Sequence, residues 1–262
     1  MKNKPVRRLV IWLLAAAVSV ALTVLFFFPA AWLTTLLEQQ TAGRLTLGDA
    51  QGTLWQGSAF IGGAPSGNEA VTPLLPGRFS WRLSPLVLLG QVDATLENAA
   101  ALSQPVSITG SWSQWQVTPS ALTLPAERLA GLGAPLNTIQ LTGRMQLSWS
   151  SLQLLRQGQK LDVAGSMILD MQDMASRLSS IKPLGAYVLT MDWRGQQAPL
   201  SLKTVKGPLL LSGTGALTNG RLQFSGRAQA EAGQEEKLAN LLNLLGQRRR
   251  EGDKNVIALE FK

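Results

Sequence analysis

The 262-residue chain is 45% apolar and only 15% charged, against a usual charged share of about 25%, which excludes disorder because disorder needs low hydrophobicity and high net charge. It has neither cysteine nor histidine, so disulfides, thiolate chemistry and histidine-based catalysis or metal ligation are excluded. Of the +8 net charge, four positive charges are Lys2, Lys4, Arg7 and Arg8; the 20 Lys/Arg that remain are scattered among 16 Asp/Glu, not gathered into the basic stripe that nucleic-acid binding requires.

Residues 9–28 form a run of 20 without a charge, in which only Ser19 and Thr23 are mildly polar. At about 1.5 Å rise per residue such a helix spans about 30 Å, the thickness of a bilayer hydrocarbon core. Pro29 ends the run, and Trp12 and Trp32 lie near its ends, where amphipathic rings favour the interface. A cleaved signal peptide is the competing reading, but its apolar region is usually about 7–15 residues, and Pro29-Ala30-Ala31 is a poor cleavage site. The expected organisation is therefore a basic cytoplasmic tail (1–8), a single-pass transmembrane anchor (9–28) and a domain beyond the membrane (29–262), oriented by the four positive charges.

Residues 31–41 read as a helical extension with Trp32, Leu33, Leu36 and Leu37 on one side, stopped near Gly43. From Leu45 onward the period shortens to two. Strand-like runs separated by turn signals follow at 77–83, 90–97, 106–112, 114–117, 138–149, 160–171, 187–193, 200–205, 208–217, 221–230 and 256–261. Two helices are expected among them. One is a short piece over 175–181. The other, over 235–247, places Leu238, Leu241, Leu242 and Leu245 on one stripe, with Glu235 and Glu236 at its positive end and Arg248, Arg249 and Arg250 at its negative end.

Glycine recurs inside the strand-like runs, at Gly110, Gly143, Gly165, Gly213 and Gly226, each after an apolar and a small residue. Such glycines mark bulges or close backbone approach and bend a sheet. The fold class expected is mainly β: the transmembrane helix, then a strongly curved antiparallel sheet or half-open β roll, with one short amphipathic helix near the C-terminus.

No phosphate loop, dinucleotide fingerprint or nucleophile elbow is present. Asp170 with Asp173, and Asp93 with Glu97, are the carboxylate pairs available for acid–base work, and both read better as solvated strand residues; Lys203 and Lys206 have no neighbour that would lower a pKa. No catalytic, cofactor-binding or metal-ligating residue is assigned, and no cofactor is expected. Trp55, Trp81, Trp112, Trp115, Trp149 and Trp193 fall in or beside strands, where they are expected to fill the core of the sheet rather than line a groove.

Several short elements occur in a fixed order: Pro29-Ala30-Ala31-Trp32-Leu33, Gly43-Arg44-Leu45-Thr46-Leu47, Gly52-Thr53-Leu54-Trp55-Gln56-Gly57, Leu75-Pro76-Gly77-Arg78-Phe79-Ser80-Trp81-Arg82-Leu83, and Gly207-Pro208-Leu209 running on to Gly226. Together they resemble the type II secretion system protein N family, with Gly52, Thr53, Leu54, Trp55, Gly57, Pro76, Gly77 and Trp81 the motif residues. The resemblance covers nearly the whole chain. It implies a non-enzymatic inner-membrane accessory component of the general secretory machinery in Gram-negative bacteria, its large domain in the periplasm, supporting export of folded proteins across the outer membrane. The implied partners are other type II secretion components of the inner-membrane platform and the secretin. The family is more distantly similar to AsmA-like proteins, which implies an alternative: a periplasmic lipid-handling module holding lipid in an apolar groove.

Overall fold

The computed structural model describes residues 4–41, 43, 45–63, 72–132, 136–158, 160–219, 221–251 and 254–261. Helix α1 (Lys4–Phe26) is followed by α2 (Trp32–Gln40), which ends as expected: Gly43, at φ +76°, donates its N–H to Glu38 O at 2.8 Å. Most of the described apolar side chains of α1 stand away from the rest of the protein, with Ile11, Leu13, Leu14, Val18, Val20 and Val24 all exposed. Among the residues whose side chains are described, no helical stretch is long and apolar enough to cross a membrane. The uncharged run read from the sequence occupies α1 from residue 9 to its end at Phe26.

The rest is one open antiparallel sheet of 17 strands. Its first part comprises β1 (Leu45–Gly52), β2 (Gln56–Gly63), β3 (Thr72–Pro73), β4 (Phe79–Leu83), β5 (Gln91–Glu97) and β6 (Val106–Ser111). Next come β7 (Gln114–Val117), β8 (Ser120–Pro125), a four-residue helix α3 (Leu136–Ile139), β9 (Leu141–Trp149) and β10 (Leu152–Gln157). The long strand β11 (Lys160–Ser176) leads into β12 (Gly185–Gly195), β13 (Gln197–Lys206), β14 (Leu209–Thr218) and β15 (Arg221–Ala230). Helix α4 (Glu235–Leu245), β16 (Gln247–Glu251) and β17 (Lys254–Phe261) complete it.

Pairing follows chain order closely. The pairs β7 with β10 and β8 with β9 are two stretches of one bent hairpin, and β11 runs alongside both β10 and β9. Only the end is inverted: β17 pairs with β15, leaving β16 outermost. A meander of this kind places alternate connections on the same rim. The rim near α1 carries short turns, while the far rim carries the long connections, α3 and α4.

The core gathers at the far rim on one face. Leu124, Met145, Met171 and Tyr187 lie directly opposite one another across four strands, and Leu211, Ala228 and Ile257 across three more. Leu74, Leu75, Phe79 and Ala101 form a second cluster, and Leu238, Leu241 and Leu242 of α4 cover Leu184, Leu209 and Leu259. The tryptophans do not fill this core: Trp55, Trp81, Trp115, Trp149 and Trp193 are half-buried and Trp112 is exposed.

Two glycines of the recurring pattern sit where backbones approach closely or a bulge interrupts the ladder. Gly110 has φ +150°, and a Cβ there would come 2.1 Å from Gln114 O across the hairpin. Gly143, at φ +135°, lies against the bulge in β11 formed by Gln172 and Asp173, where the register shifts on both sides.

Two further expectations fail. The helix expected over 175–181 does not form, because β11 continues to Ser176 and the Ser176 and Ser179 hydroxyls then accept the N–H groups of Leu178 and Ile181, closing a turn in place of a helix. Helix α4 stops at Leu245, so Arg248, Arg249 and Arg250 lie in edge strand β16 rather than at a helix end. Gly246 permits this change of direction: a Cβ there would come 2.2 Å from Ala258 O.

Candidate functional site

The motif Gly52-Thr53-Leu54-Trp55-Gln56-Gly57 is the turn between β1 and β2, and it grips the end of α1. Gly52 adopts φ +86°, which lets the chain reverse so that Thr53 N donates to Gln56 O at 2.8 Å; the Thr53 hydroxyl accepts from Gln56 N at 3.2 Å. Gly57 leaves room for the Trp81 ring, since a Cβ would stand 2.5 Å from it. The Trp81 indole donates to Leu54 O at 3.1 Å, and Leu54 N donates in turn to Phe28 O at 2.8 Å.

The carbonyls of a helix's last turn have no partner within the helix. Leu25 O accepts the Trp55 indole N–H at 2.8 Å. Pro29 bridges Thr53, Ala30 N donates to Gly52 O at 3.1 Å, and Leu83 N donates to Trp55 O at 2.7 Å. One turn therefore binds α1, the segment entering α2, and strands β1, β2 and β4.

The structure brings together six of the eight motif residues: Gly52, Thr53, Leu54, Trp55, Gly57 and Trp81. Pro76 and Gly77 lie at the opposite end of β4. There Asn98 Nδ2 donates to Pro76 O at 2.9 Å, and Gly77, at φ +71°, packs against Asn98 and Ala100. They shape the far-rim turn and do not belong to the junction.

Arg78 was not singled out from the sequence, although it follows Gly77 directly. Its guanidinium donates to Asp49 O at 2.8 Å, forms an ion pair with the Asp49 carboxylate, reaches Ser58 O and Oγ at 3.2 Å, and lies 4.6 Å above the Phe60 ring. Asp49 is aimed at it by a bulge in β1, where its own φ is +49°. The amide of Gln51 and then the Arg78 guanidinium hold the Asp49 carboxyl below its ordinary range.

Beside this junction opens a cleft of about 460 Å³, lined by polar groups that include Gln51, Gln56, Ser80, Arg82, Thr95 and Glu97. The carboxylates considered from the sequence do not gather there as a pair. Asp173 pairs with Arg144 at 2.6 Å on the β11 bulge, and Asp93 is an exposed strand residue whose carbonyl accepts Ser84 N. Among the described residues no three carboxylates converge in a way that could hold a metal ion. The arrangement is suited to presenting a surface at a fixed angle to α1.

The family model for type II secretion system protein N matches residues 43–256, a span that runs from the end of α2 into the last strand and includes the whole junction motif. The chain belongs to the type II secretion system protein N family. Comparisons with curated proteins and with solved structures give no significant match. Membership makes the chain a component of type II secretion.

Proposed function

We propose that this protein is an inner-membrane component of the type II secretion machinery, held by a transmembrane segment at 9–28, with residues 1–8 cytoplasmic and 29–262 periplasmic. In this reading it supports export of folded proteins across the outer membrane through contacts with other components of the inner-membrane platform and with the secretin. Family membership over residues 43–256 is the observation that carries it. The uncharged stretch of α1, most of whose described apolar side chains are exposed, supports the anchor, since a helix apolar on all sides needs a nonaqueous surrounding. The polar cleft beside the junction favours protein contacts, because its hydrogen-bonding groups match a peptide surface better than acyl chains. The apolar-groove alternative is not favoured.

Deletion in a strain that carries the secretion system tests the proposal. Secreted enzymes should accumulate in the periplasm, or other platform components should lose stability, and the wild-type chain supplied in trans should restore both. Unchanged secretion together with unchanged levels of the other components would overturn it.

A further inference from the structure

We infer that the sheet makes a second contact with the membrane, through an apolar tip on the rim beside α1. This rests on the reading of 9–28 as a membrane span. The tip is the connection from β4 to β5, a 3-10 turn over Pro85–Leu89. Leu86 and Leu88 are 45% and 48% exposed, and Leu89, at 82%, is the most exposed large apolar residue among those described. No charged residue occurs from 84 to 90.

The tip is held in shape. Ser84 Oγ accepts Leu86 N at 3.3 Å, and Gly90, at φ +95°, turns the chain back with its N–H on Val87 O at 3.2 Å. Trp112, on the neighbouring turn between β6 and β7, donates its indole N–H to Val87 O while remaining 58% exposed. Its polar atom is thus occupied and its ring remains on the surface, the arrangement that favours tryptophan at the boundary between lipid and water.

Position selects lipid as the occupant. Leu83, at the base of the tip, is hydrogen-bonded to Trp55, whose indole is bonded to Leu25 near the end of α1. The tip therefore lies close to the level at which α1 would leave the bilayer. At the same level, α2 exposes Trp32 and Leu36, four residues apart and on one stripe. Two uncharged apolar features flanking a span match a headgroup–acyl boundary, and together with α1 they would fix the orientation of the sheet above the membrane.

The natural absence of cysteine allows site-specific labelling without background. Full-length Leu89→Cys, Leu178→Cys on the far rim and Val18→Cys in α1 are each labelled with an environment-sensitive fluorophore and reconstituted into phosphatidylethanolamine–phosphatidylglycerol vesicles. The label at 89 should be quenched by nitroxide lipids and protected several-fold from aqueous iodide relative to that at 178, with 18 protected as well. If 18 is protected and 89 is as open to iodide as 178, the tip contact is overturned and the span stands. If 18 is open to iodide, the span falls and the inference with it. Protection at 89 only in membranes that contain the other secretion components would overturn lipid in favour of a protein partner.

Discussion

Asp49 and Arg78 join three strands through one ion pair, and the pair responds to pH in a defined direction. The Asp49 carboxyl is held below its ordinary range first by Gln51 and then by Arg78. A depressed folded-state pKa contributes stability that is present above the unfolded value of about 3.9 and is lost as pH falls through the folded value. Arg78→Gln should move the Asp49 titration upward toward that unfolded value, short of reaching it because Gln51 still donates. Carboxyl-detected NMR titration of both proteins measures the shift, and an unmoved pKa would assign the effect to Gln51 alone. At this scale the two glycines, Thr53, Trp55 and Trp81 stood out in the sequence as distinctive residues at fixed spacing. What they hold was not legible, because Leu25 O and Phe28 O are main-chain acceptors that any residue supplies. Arg78 was missed for a related reason, as its partner Asp49 is distant in the chain and is aimed only by a bulge.

Helix α4 was legible as an element because its leucines repeat with helical period and the structure buries them. Leu241 is 2% exposed and Leu244 is 57% exposed. Leu241→Ala should therefore cost about 2–5 kcal/mol through lost burial and a residual cavity, whereas Leu244→Ala should fall within about 0.5 kcal/mol of the parent. Urea unfolding of the two variants measures the contrast, and equal losses would show that α4 is not docked as described. Boundaries were less legible. The arginines after α4 suit a helix end by charge, but pairing of 247–251 with β17 supplies a ladder of backbone hydrogen bonds along one side that a frayed helix end lacks. Over 175–181 the local composition permits a helix, yet strand pairing with β9 and β12 extends β11 through a bulge first. In both places a distant partner strand, invisible in a local window, outweighed propensity.

For the whole molecule, the density of short strands and turn signals made an antiparallel sheet legible, and Gly143 of the glycine pattern lies against the bulge in β11. An open form was expected from the half-open roll, and the sheet is open: among the described residues its first and last strands do not pair. The anchor makes a prediction at this scale. Exchange of 1–28 for a cleavable export signal should release a periplasmic domain that retains the strand-rich circular dichroism of the parent, because the core lies at the far rim and does not involve α1. Secretion should fail in the same strain, since the proposed role requires a fixed place beside the platform. Full secretion by the released domain would reduce the segment to a means of delivery.

The neighbour-by-neighbour pairing also bears on how the domain is made. Closing a loop loses entropy that grows only with the logarithm of its length, and most ladders here close after a few residues of turn. Each new strand finds its template already laid down by the one before it, so the sheet can lengthen in the order of synthesis, beginning beside α2 with β1. The inversion at the end breaks this sequence. Strand β17 must pass β16 to reach β15, with Phe261 opposite Phe224, so this edge forms only once residues 254–261 have been made. A chain truncated there would display β15 as an unpaired template, the kind of edge on which strands of other molecules add.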